Sequence, residues 1–422
     1  MRAGTWLAER VRSAPPPAIL VAGWLGLVLY AHPGYMSFDS IQALADARRG
    51  TYHDLAAVAW RAADWVVPGP FGMLALQAAG FLAGVHALLR RRLAPRTAAA
   101  CACLVLWFPP VAATIATLWP DGCAAALFAL AAGGLGSARL PRRIAALVAL
   151  ATGASIQPGG IAVAVPLALG LLAAPLRVRA GATIAVAAAA WLIAGRFAWQ
   201  DPHELDDALA DIAGTVHHAG GVDDAALQPV LPGADAAARA AAAYDPDASL
   251  DEVRAAVART FGRPPRAAVR EVRARLVGAH RGAYAAYRAE VFCRIERLCN
   301  RGEGSAAYIW LHDAGAVRHD ASPSGLQRLL QWCMGKLAAT WLFLPWLYLA
   351  LALALLPMAR RDGAIAALLA SGIAGELALA VAGHDANFRH AIWLVAATAL
   401  GALLLVAARI RSSVRSSDET TA

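Results

Sequence analysis

Lysine and charge are scarce in this chain, and that scarcity excludes most classes of soluble protein. Lys336 is the only lysine among the 422 residues, and charged side chains make up 16% of the chain against 59% for hydrophobic ones. The mean hydropathy is +0.51. Soluble domains do not have this composition, whereas proteins with several bilayer-spanning segments do. The composition therefore predicts a polytopic membrane protein.

Motifs of nucleotide, hydrolase and zinc chemistry are missing as well. The chain has no P-loop, no glycine-rich dinucleotide fingerprint after a strand and no GxSxG element, which disfavours ATP-driven transport and serine hydrolysis of those types. The six cysteines show neither CxxC nor zinc-ligand spacing. The net charge of +9 comes from short arginine clusters between apolar runs. That pattern is typical of membrane orientation, so we expect no nucleic-acid partner.

Apolar runs of about 20 residues mark the candidate membrane spans of an all-α protein. The run 144–174 is too long for one upright helix and contains "SIQPGG", whose proline and glycines disfavour a continuous helix. We predict two short helices there, crossing up and down, and about ten spans in total. The first run lacks a small-residue cleavage site and is expected to be a retained helix. The predicted spans are 16–31, 70–89, 97–118, 120–138, two within 144–174, 180–198, 336–357, 363–382 and 391–408.

The arginine clusters predict which ends of the spans share one side of the membrane. Short cytoplasmic loops carry an excess of arginine and lysine. With the N-terminus in the cytoplasm, every tight cluster falls on that side, provided that 144–174 crosses twice. We therefore expect a multi-pass protein of the bacterial inner (plasma) membrane with both termini cytoplasmic. The clusters are Arg2, Arg10 and Arg12, then 90–92, 142–143, 177–179, 360–361 and 409–415.

The same topology divides the chain into three parts. An N-terminal membrane part, 1–198, contains the first outside loop, 32–69; an extracytoplasmic, mainly helical segment covers 199–335; a C-terminal membrane part and cytoplasmic tail cover 336–422. In the middle segment Ser249 and Glu252 have the spacing of a capping box.

The two cysteines of the middle segment are predicted to stay apart. A helix that continues to Leu298 would separate Cys293 from Cys299 by about 9 Å along its axis, at 1.5 Å per residue. A disulfide requires Cα atoms within roughly 7 Å of each other. We therefore expect no disulfide between them.

The stretch "HPGYMSFDS", 32–40, places Asp39 just past the first predicted span. Asp39 followed by Gln42 three residues later fits a capping box at a helix start. A carboxylate in a partly dry cleft can also act as a general base and help to hold a metal. The spacing leaves both roles open.

Polar residues also stand out at two predicted outside turns and within one span. Asp121 lies in "WPDG", which is ordinary turn chemistry but places a carboxylate on the same side as Asp39. Arg389 lies in "GHDANFRH" with His384, Asp385 and His390. Its planar guanidinium suits a phosphate, although an interfacial arginine can instead anchor a helix end. Glu376 lies inside a predicted span, where an ionisable residue is a functional candidate by default.

The order of these features resembles the GT-C superfamily of membrane glycosyltransferases, which includes protein O-mannosyltransferases and lipid A aminoarabinose transferases. The likeness rests on "YMSFDS" with "ARRGTYHD" in the first outside loop, "ATGASIQPGGIAVAVPLAL" in the middle and "GHDANFRHAIWL" near the C-terminus. The resemblance implies a polyprenyl-phosphate-linked sugar as donor, Asp39 as the base and basic residues facing the lipid phosphate. Many relatives have a His-Pro-Pro-like element after the acidic residue. This chain has His53 and Asp54 there without Pro-Pro, which also fits a polar turn between interfacial helices.

The expected function is sugar transfer from a polyprenyl-phosphate carrier to an acceptor at the outer face of the membrane. Asp39 would deprotonate the acceptor while Arg389 holds the leaving phosphate, so both should face one cavity. The alternatives are a non-catalytic carrier or flippase for lipid-linked sugars, and a degenerate glycosyltransferase relative with an assembly role. Membrane lipid is an expected partner; no cofactor is specified, although a divalent metal is compatible with the carboxylates. Further substrate-binding candidates are His53, Asp54, Asp121, His384 and Asp385.

Overall fold

The protein is all-α in every part that the structure describes. A computed structural model describes residues 14–52, 55–198, 203–299, 324–384 and 387–421. Within these ranges the chain forms helices and one isolated parallel bridge between Tyr35 and Thr117. The predicted fold class is therefore confirmed for the described residues.

Ten α-helices lie in the described residues of the N-terminal membrane part. Five of them have proline in their first turn, where the missing N–H costs no helical hydrogen bond. The helices are α1 (Pro16–Ala31), α2 (Phe38–Arg49), α3 (Leu55–Val66), α4 (Phe71–Leu89), α5 (Pro95–Leu106), α6 (Pro109–Ala116), α7 (Pro120–Leu135), α8 (Leu140–Ile156), α9 (Gly160–Leu171) and α10 (Leu176–Ala198).

Ten more α-helices follow. We call residues 203–299, which contain α11 to α16, the helical domain. The helices are α11 (His203–Ala219), α12 (Asp224–Leu227), α13 (Ala236–Ala242), α14 (Leu250–Phe261), α15 (Arg266–Ala279), α16 (Arg281–Ile295), α17 (Gly325–Ala338), α18 (Pro345–Leu355), α19 (Gly363–Ala382) and α20 (Ile392–Thr421), with 3-10 turns at Trp341–Phe343, Leu356–Ala359 and Phe388–Ala391.

The predicted break within 144–174 is present. Helix α8 ends at Ile156, Gly159 adopts a left-handed φ of 77°, and α9 starts at Gly160. A Cβ at position 159 would lie within 2.9 Å of the Gly375 carbonyl oxygen, so glycine is required for both the backbone and the close approach. The two short helices predicted from the sequence are confirmed.

Four described helices are long and apolar enough to cross a membrane, and a fifth candidate is the pair α5 and α6, bent by 70°. Four shorter apolar helices of 10–17 residues accompany them. By length and composition the described residues therefore contain four or five spans, fewer than the ten expected. The difference arises because two predicted spans, 97–118 and 336–357, are interrupted, and because others, such as α1 and α9, are continuous but short helices. The long spans are Phe71–Leu89, Leu176–Phe197, Gly363–Ala382 and Phe388–Arg411.

Contacts between distant segments bring several arginine clusters to one end of the bundle, which we call the arginine end. Arg91 donates to the Gly133 carbonyl, where α7 ends, over 2.7 Å. Arg92 forms a salt bridge with Asp362, the N-cap of α19. Arg143 donates to the Ala173 carbonyl, after α9, over 2.7 Å. These contacts agree with the alternation read from the sequence.

Membrane helices approach one another at small residues. A Cβ on Gly84 of α4 would overlap the backbone of Ala129 in α7. A Cβ on Gly170 of α9 would overlap Ala367 of α19. Lipid supplies no hydrophobic drive between helices, so such close backbone contacts provide van der Waals packing instead.

The helical domain has its own hydrophobic core, and its last turn contains a disulfide that was not predicted from the sequence. Its core includes Leu209, Val257, Tyr287 and Val291. Helix α16 ends at Ile295, and Arg297 adopts a φ of 58°. This turn brings the Cα atoms of Cys293 and Cys299 within 5.3 Å of each other, and the two form a disulfide. The prediction of two unjoined thiols was wrong because it assumed that the helix continued.

The helical domain is attached to the end of α19 by a buried arginine. Arg288 of α16 donates to the carbonyl oxygens of Leu379, Ala380 and Gly383. The last carbonyls of a helix have no partner within the helix and must find one elsewhere. Arg288 therefore caps a membrane helix from the adjoining domain.

Candidate functional site

Four segments singled out in the sequence meet at the end of the bundle opposite the arginine end. They are the start of α2, the start of α7, the break between α8 and α9, and the 3-10 turn before α20. The contacts that join them involve Ser37, Trp119, Asp121, Gln157, Arg389 and His390, which we call the site cluster. These residues lie up to 353 positions apart, so only tertiary packing brings them together.

Asp121 is the centre of the site cluster. It is the second residue of α7, after the N-cap Trp119 and Pro120, and it is buried. One carboxylate oxygen lies 2.9 Å from Nδ1 of His390, and the other lies 3.4 Å from Nε of Arg389. The N-terminus of a helix favours a negative charge as well. Asp121 thus fixes the orientation of the two basic side chains.

Trp119 connects Arg389 to the first loop. The guanidinium of Arg389 lies over the indole ring, with its carbon 5.6 Å from the ring centroid, in a cation–π arrangement. The indole Nε1 donates to the Ser37 hydroxyl over 2.7 Å. Ser40 in turn donates to the Leu118 carbonyl over 3.0 Å. The start of α2 is therefore held directly against the turn that carries Asp121.

The structure corrects the interpretation of Asp39 as a helix cap. The N-cap of α2 is Ser37, whose hydroxyl accepts from the Ser40 backbone N–H. Gln42 donates to Asp46 within α2 instead of reaching back to the start of the helix. Asp39 is the second residue of the helix, and its side chain lies outside the described residues. The prediction that Asp39 and Arg389 face one cavity stays a prediction, although their backbone segments are joined through Trp119.

Gln157 brings the break between α8 and α9 into the site cluster. Its side-chain nitrogen donates to the His390 carbonyl over 2.8 Å. Its side-chain oxygen is buried and has no hydrogen-bond partner among the residues that the structure describes. Gln157, Trp119 and Ser37 were not predicted from the sequence as site residues. The one sequence feature that pointed to Gln157 was its position as a lone polar residue in the helix break.

His384 belongs to a different environment. Its Nε2 lies 3.0 Å from Asp211 and its Nδ1 3.8 Å from Asp207, both on α11 of the helical domain. The His384 carbonyl accepts from Arg254. His384 therefore contributes to the attachment of the domain, not to the contacts around Asp121.

Three other predicted site residues, His53, Asp54 and Asp385, lie outside the described residues. Among the described residues no group of three His, Cys, Asp or Glu side chains is arranged to hold a metal ion.

The site cluster brings an arginine and a histidine to one buried carboxylate, and the indole ring of Trp119 lies against the guanidinium. A guanidinium can form two parallel charge-assisted hydrogen bonds to a carboxylate or a phosphate. In comparisons with known proteins, no family model, no curated protein and no solved structure matches this chain.

Proposed function

We propose that this protein transfers a sugar from a polyprenyl-phosphate carrier to an acceptor at the outer face of the bacterial inner membrane. The observation that carries the proposal is the convergence of the first loop, the broken helix and the last turn on Asp121. A lipid-linked donor needs a site at the membrane boundary, and the site cluster lies where several apolar helices end.

Arg389 is the proposed binding group for the donor phosphate, and Trp119 supports it. The arginine fork can bond two oxygens of the carrier phosphate at once, and the buried indole packs against the guanidinium. Asp121 is the proposed positioning residue, since it holds both Arg389 and His390. His390, held by Asp121 through Nδ1, is a second basic group beside the proposed phosphate position.

Asp39 is the proposed general base. It takes the proton of the acceptor hydroxyl, the acceptor oxygen forms a bond with the anomeric carbon, and the bond from that carbon to the phosphate oxygen breaks. The electron pair leaves with the carrier phosphate, whose charge Arg389 compensates. No covalent enzyme intermediate is needed. The backbone of Asp39 lies in the first turn of α2, which Ser37 and Ser40 fix against 118–119.

The proposed topology has ten crossings, with both termini in the cytoplasm. It counts α5 with α6 as one span and adds the shorter helices α1, α7, α8, α9 and α18 to the long ones. The arginine end is then cytoplasmic and the site cluster lies outside. The disulfide between Cys293 and Cys299 supports an outside location for the helical domain, because such bonds persist in oxidising compartments.

The test compares Asp39→Asn and Arg389→Lys with the parent protein in cells that lack the chromosomal copy. Mass spectrometry of envelope glycans and lipid-linked sugars identifies the product lost on deletion. Asp39→Asn should fold normally, because Ser37 caps α2, but should lower transfer on the order of a hundredfold or more. Arg389→Lys keeps the charge but loses the planar guanidinium, and should raise the donor concentration required for half-maximal transfer. Asp251→Asn on the exposed surface of α14 is the matched control.

Three outcomes would decide against the proposal. If folded Asp39→Asn protein transferred sugar at the parental rate, Asp39 would not be the general base. Unchanged glycans after deletion, with lipid-linked sugar accumulating on one side of the membrane, would favour the carrier. If the protein carrying both substitutions fully restored the envelope glycans of the deletion strain, a non-catalytic assembly role would be favoured.

A further inference from the structure

Two buried carboxyl groups lie close enough to interact electrostatically where the helical domain adjoins a membrane helix. Glu296 follows α16 directly, and Glu376 lies in α19. The exposed fraction is 0% for Glu296 and 2% for Glu376. Both oxygens of Glu296 and Oε1 of Glu376 lack a hydrogen-bond partner meeting normal geometry among the described residues. Neither group belongs to the site cluster.

Two buried carboxylates without cations cannot both remain ionised. Burying an isolated charge costs many kcal/mol, and two like charges in contact add repulsion. A proton placed between the two groups removes one charge and converts the contact into an O–H···O hydrogen bond. Acid pairs in enzymes share a proton for the same reason.

The charged groups on the neighbouring elements do not neutralise the pair. Arg294 donates to the carbonyls of Pro246 and Ala248 and pairs with Glu290. Burial raises the pKa of Glu296 to about 7, and the neighbouring Glu376 carboxyl acts in the opposite direction. Several charged groups near α16 and α19 have other partners: Arg273, Arg288 and His384 pair with Asp211, Arg254 with Asp207, His218 with Glu290, Arg263 with Asp206, Arg275 with Glu271, and Arg389 and His390 with Asp121.

The apolar helices around Glu376 bring no compensating group either. Residues 160–171 of α9, 345–355 of α18 and 392–408 of α20 contain no Asp, Glu, Lys, Arg or His. Gly375, beside Glu376, packs against Val163 of α9 and the carbonyl of Gly375 approaches Gly159. Glu376 is therefore enclosed by backbone and aliphatic side chains, and Glu296 is its polar neighbour.

We propose that Glu296 and Glu376 form a proton-binding site that joins the helical domain to α19 through a shared proton. The disulfide between Cys293 and Cys299 closes the turn that carries Glu296. In the sequence, α19 is followed by the segment that carries Arg389 and His390. The proton thus stabilises the attachment of the domain beside the site cluster. This inference is independent of sugar transfer.

The sign of the pH dependence follows from the two protonation states. Unfolded glutamate has a pKa of about 4.3, so the unfolded chain has lost these protons by about pH 5 while the folded pair retains at least one. Stability is then highest in acid and falls as the pH rises towards 7. Each retained proton changes the unfolding equilibrium constant tenfold per pH unit in that window.

Infrared spectroscopy of the folded protein in detergent at pH 8 tests the site directly. Ordinary carboxyl groups are ionised at that pH, so a carboxylic-acid C=O band reports a retained proton. We expect the band in the parent protein and its loss in Glu376→Gln, whose amide can donate to Glu296 in place of the proton. Glu271→Gln, on the exposed face of α15, should leave the band unchanged.

Thermal unfolding between pH 5 and pH 8 provides the second measurement. In the parent and in Glu271→Gln, the unfolding equilibrium constant should change at least tenfold per pH unit. Glu376→Gln and Glu296→Gln should lose this pH dependence. Absence of the acid band from the parent protein at pH 8 would overturn the proposal, even if neither variant folds. Identical pH profiles for the parent and folded Gln variants would overturn it as well.

Discussion

The membrane part and the helical domain pack by different means. Between membrane helices the close contacts are made by glycine and alanine, such as Gly84 with Ala129 and Gly170 with Ala367. The helical domain instead combines a Leu, Val and Tyr core with buried ion pairs around Asp211. Lipid gives helices no hydrophobic reason to associate, whereas water does.

The boundary between the two parts combines both kinds of packing. Arg288 reaches from the domain to the carbonyls that end α19, and Glu296 of the domain lies beside Glu376 of the same helix. Polar groups at this boundary can be partnered from either side. The boundary is therefore where buried charge is retained and where pH should act.

The largest expected effect breaks the packing of the membrane part. Gly84→Leu places a side chain where α4 meets the backbone of α7, which cannot move aside as a flexible side chain can. Overpacking commonly costs about 1–3 kcal/mol even where side chains adjust. We therefore expect little folded protein by size-exclusion chromatography in detergent. Gly181→Leu on α10, where a Cβ meets nothing within 4 Å, is the control. Equal yields from both variants would contradict backbone-to-backbone packing.

The next effect removes the central ion pair of the helical domain. Asp211→Asn leaves Arg288 buried beside a neutral partner, and breaking a buried pair in this way costs about 3–5 kcal/mol. Thermal unfolding should show the loss, and hydrogen exchange should show opening at 379–384. Arg275→Ala, which breaks an exposed pair with Glu271, should change stability by less than about 1 kcal/mol. Normal exchange protection at 379–384 in Asp211→Asn would exclude this attachment.

Asp211 should also give a pH dependence opposite in sign to that of the glutamate pair. Burial raises the pKa of Asp211, but the hydrogen bond and charge of His384 and the charges of Arg273 and Arg288 outweigh burial and hold the pKa below its usual range. The folded pKa is below the unfolded one. The stabilisation is therefore present above about pH 4 and is lost as the pH falls through the folded pKa.

The smallest of these effects concerns the disulfide of the helical domain. Replacing Cys293 and Cys299 together by serine should cost about 2 kcal/mol, since the bond closes a short loop in the unfolded chain. The melting temperature of the parent should fall on reduction to that of the double variant. Cys333→Ser, at a free cysteine, should keep the sensitivity to reductant. A parent protein insensitive to reductant would contradict a stabilising disulfide.

Sequence patterns determined the local features of this protein. Proline and glycine at 158–160 predicted the break between α8 and α9, because they restrict or release backbone angles within a few residues. Ser249 and Glu252 predicted their capping box for the same local reason, and the structure confirms it. The arginine clusters predicted which helix ends lie together, since charge excludes those ends from lipid.

Only the tertiary structure decided which polar groups meet. Spacing allowed Asp39 as a cap, but Ser37 takes that position, and its hydroxyl also accepts from Trp119, 82 residues later. A helix continuing to Leu298 would have separated Cys293 from Cys299, but the helix ends at Ile295 and the following turn brings them together. Gln157 with His390, and Glu296 with Glu376, are joined across long stretches of sequence. The pattern of apolar residues along the sequence determines which segments become helices. Which buried polar groups become partners depends on how those helices pack.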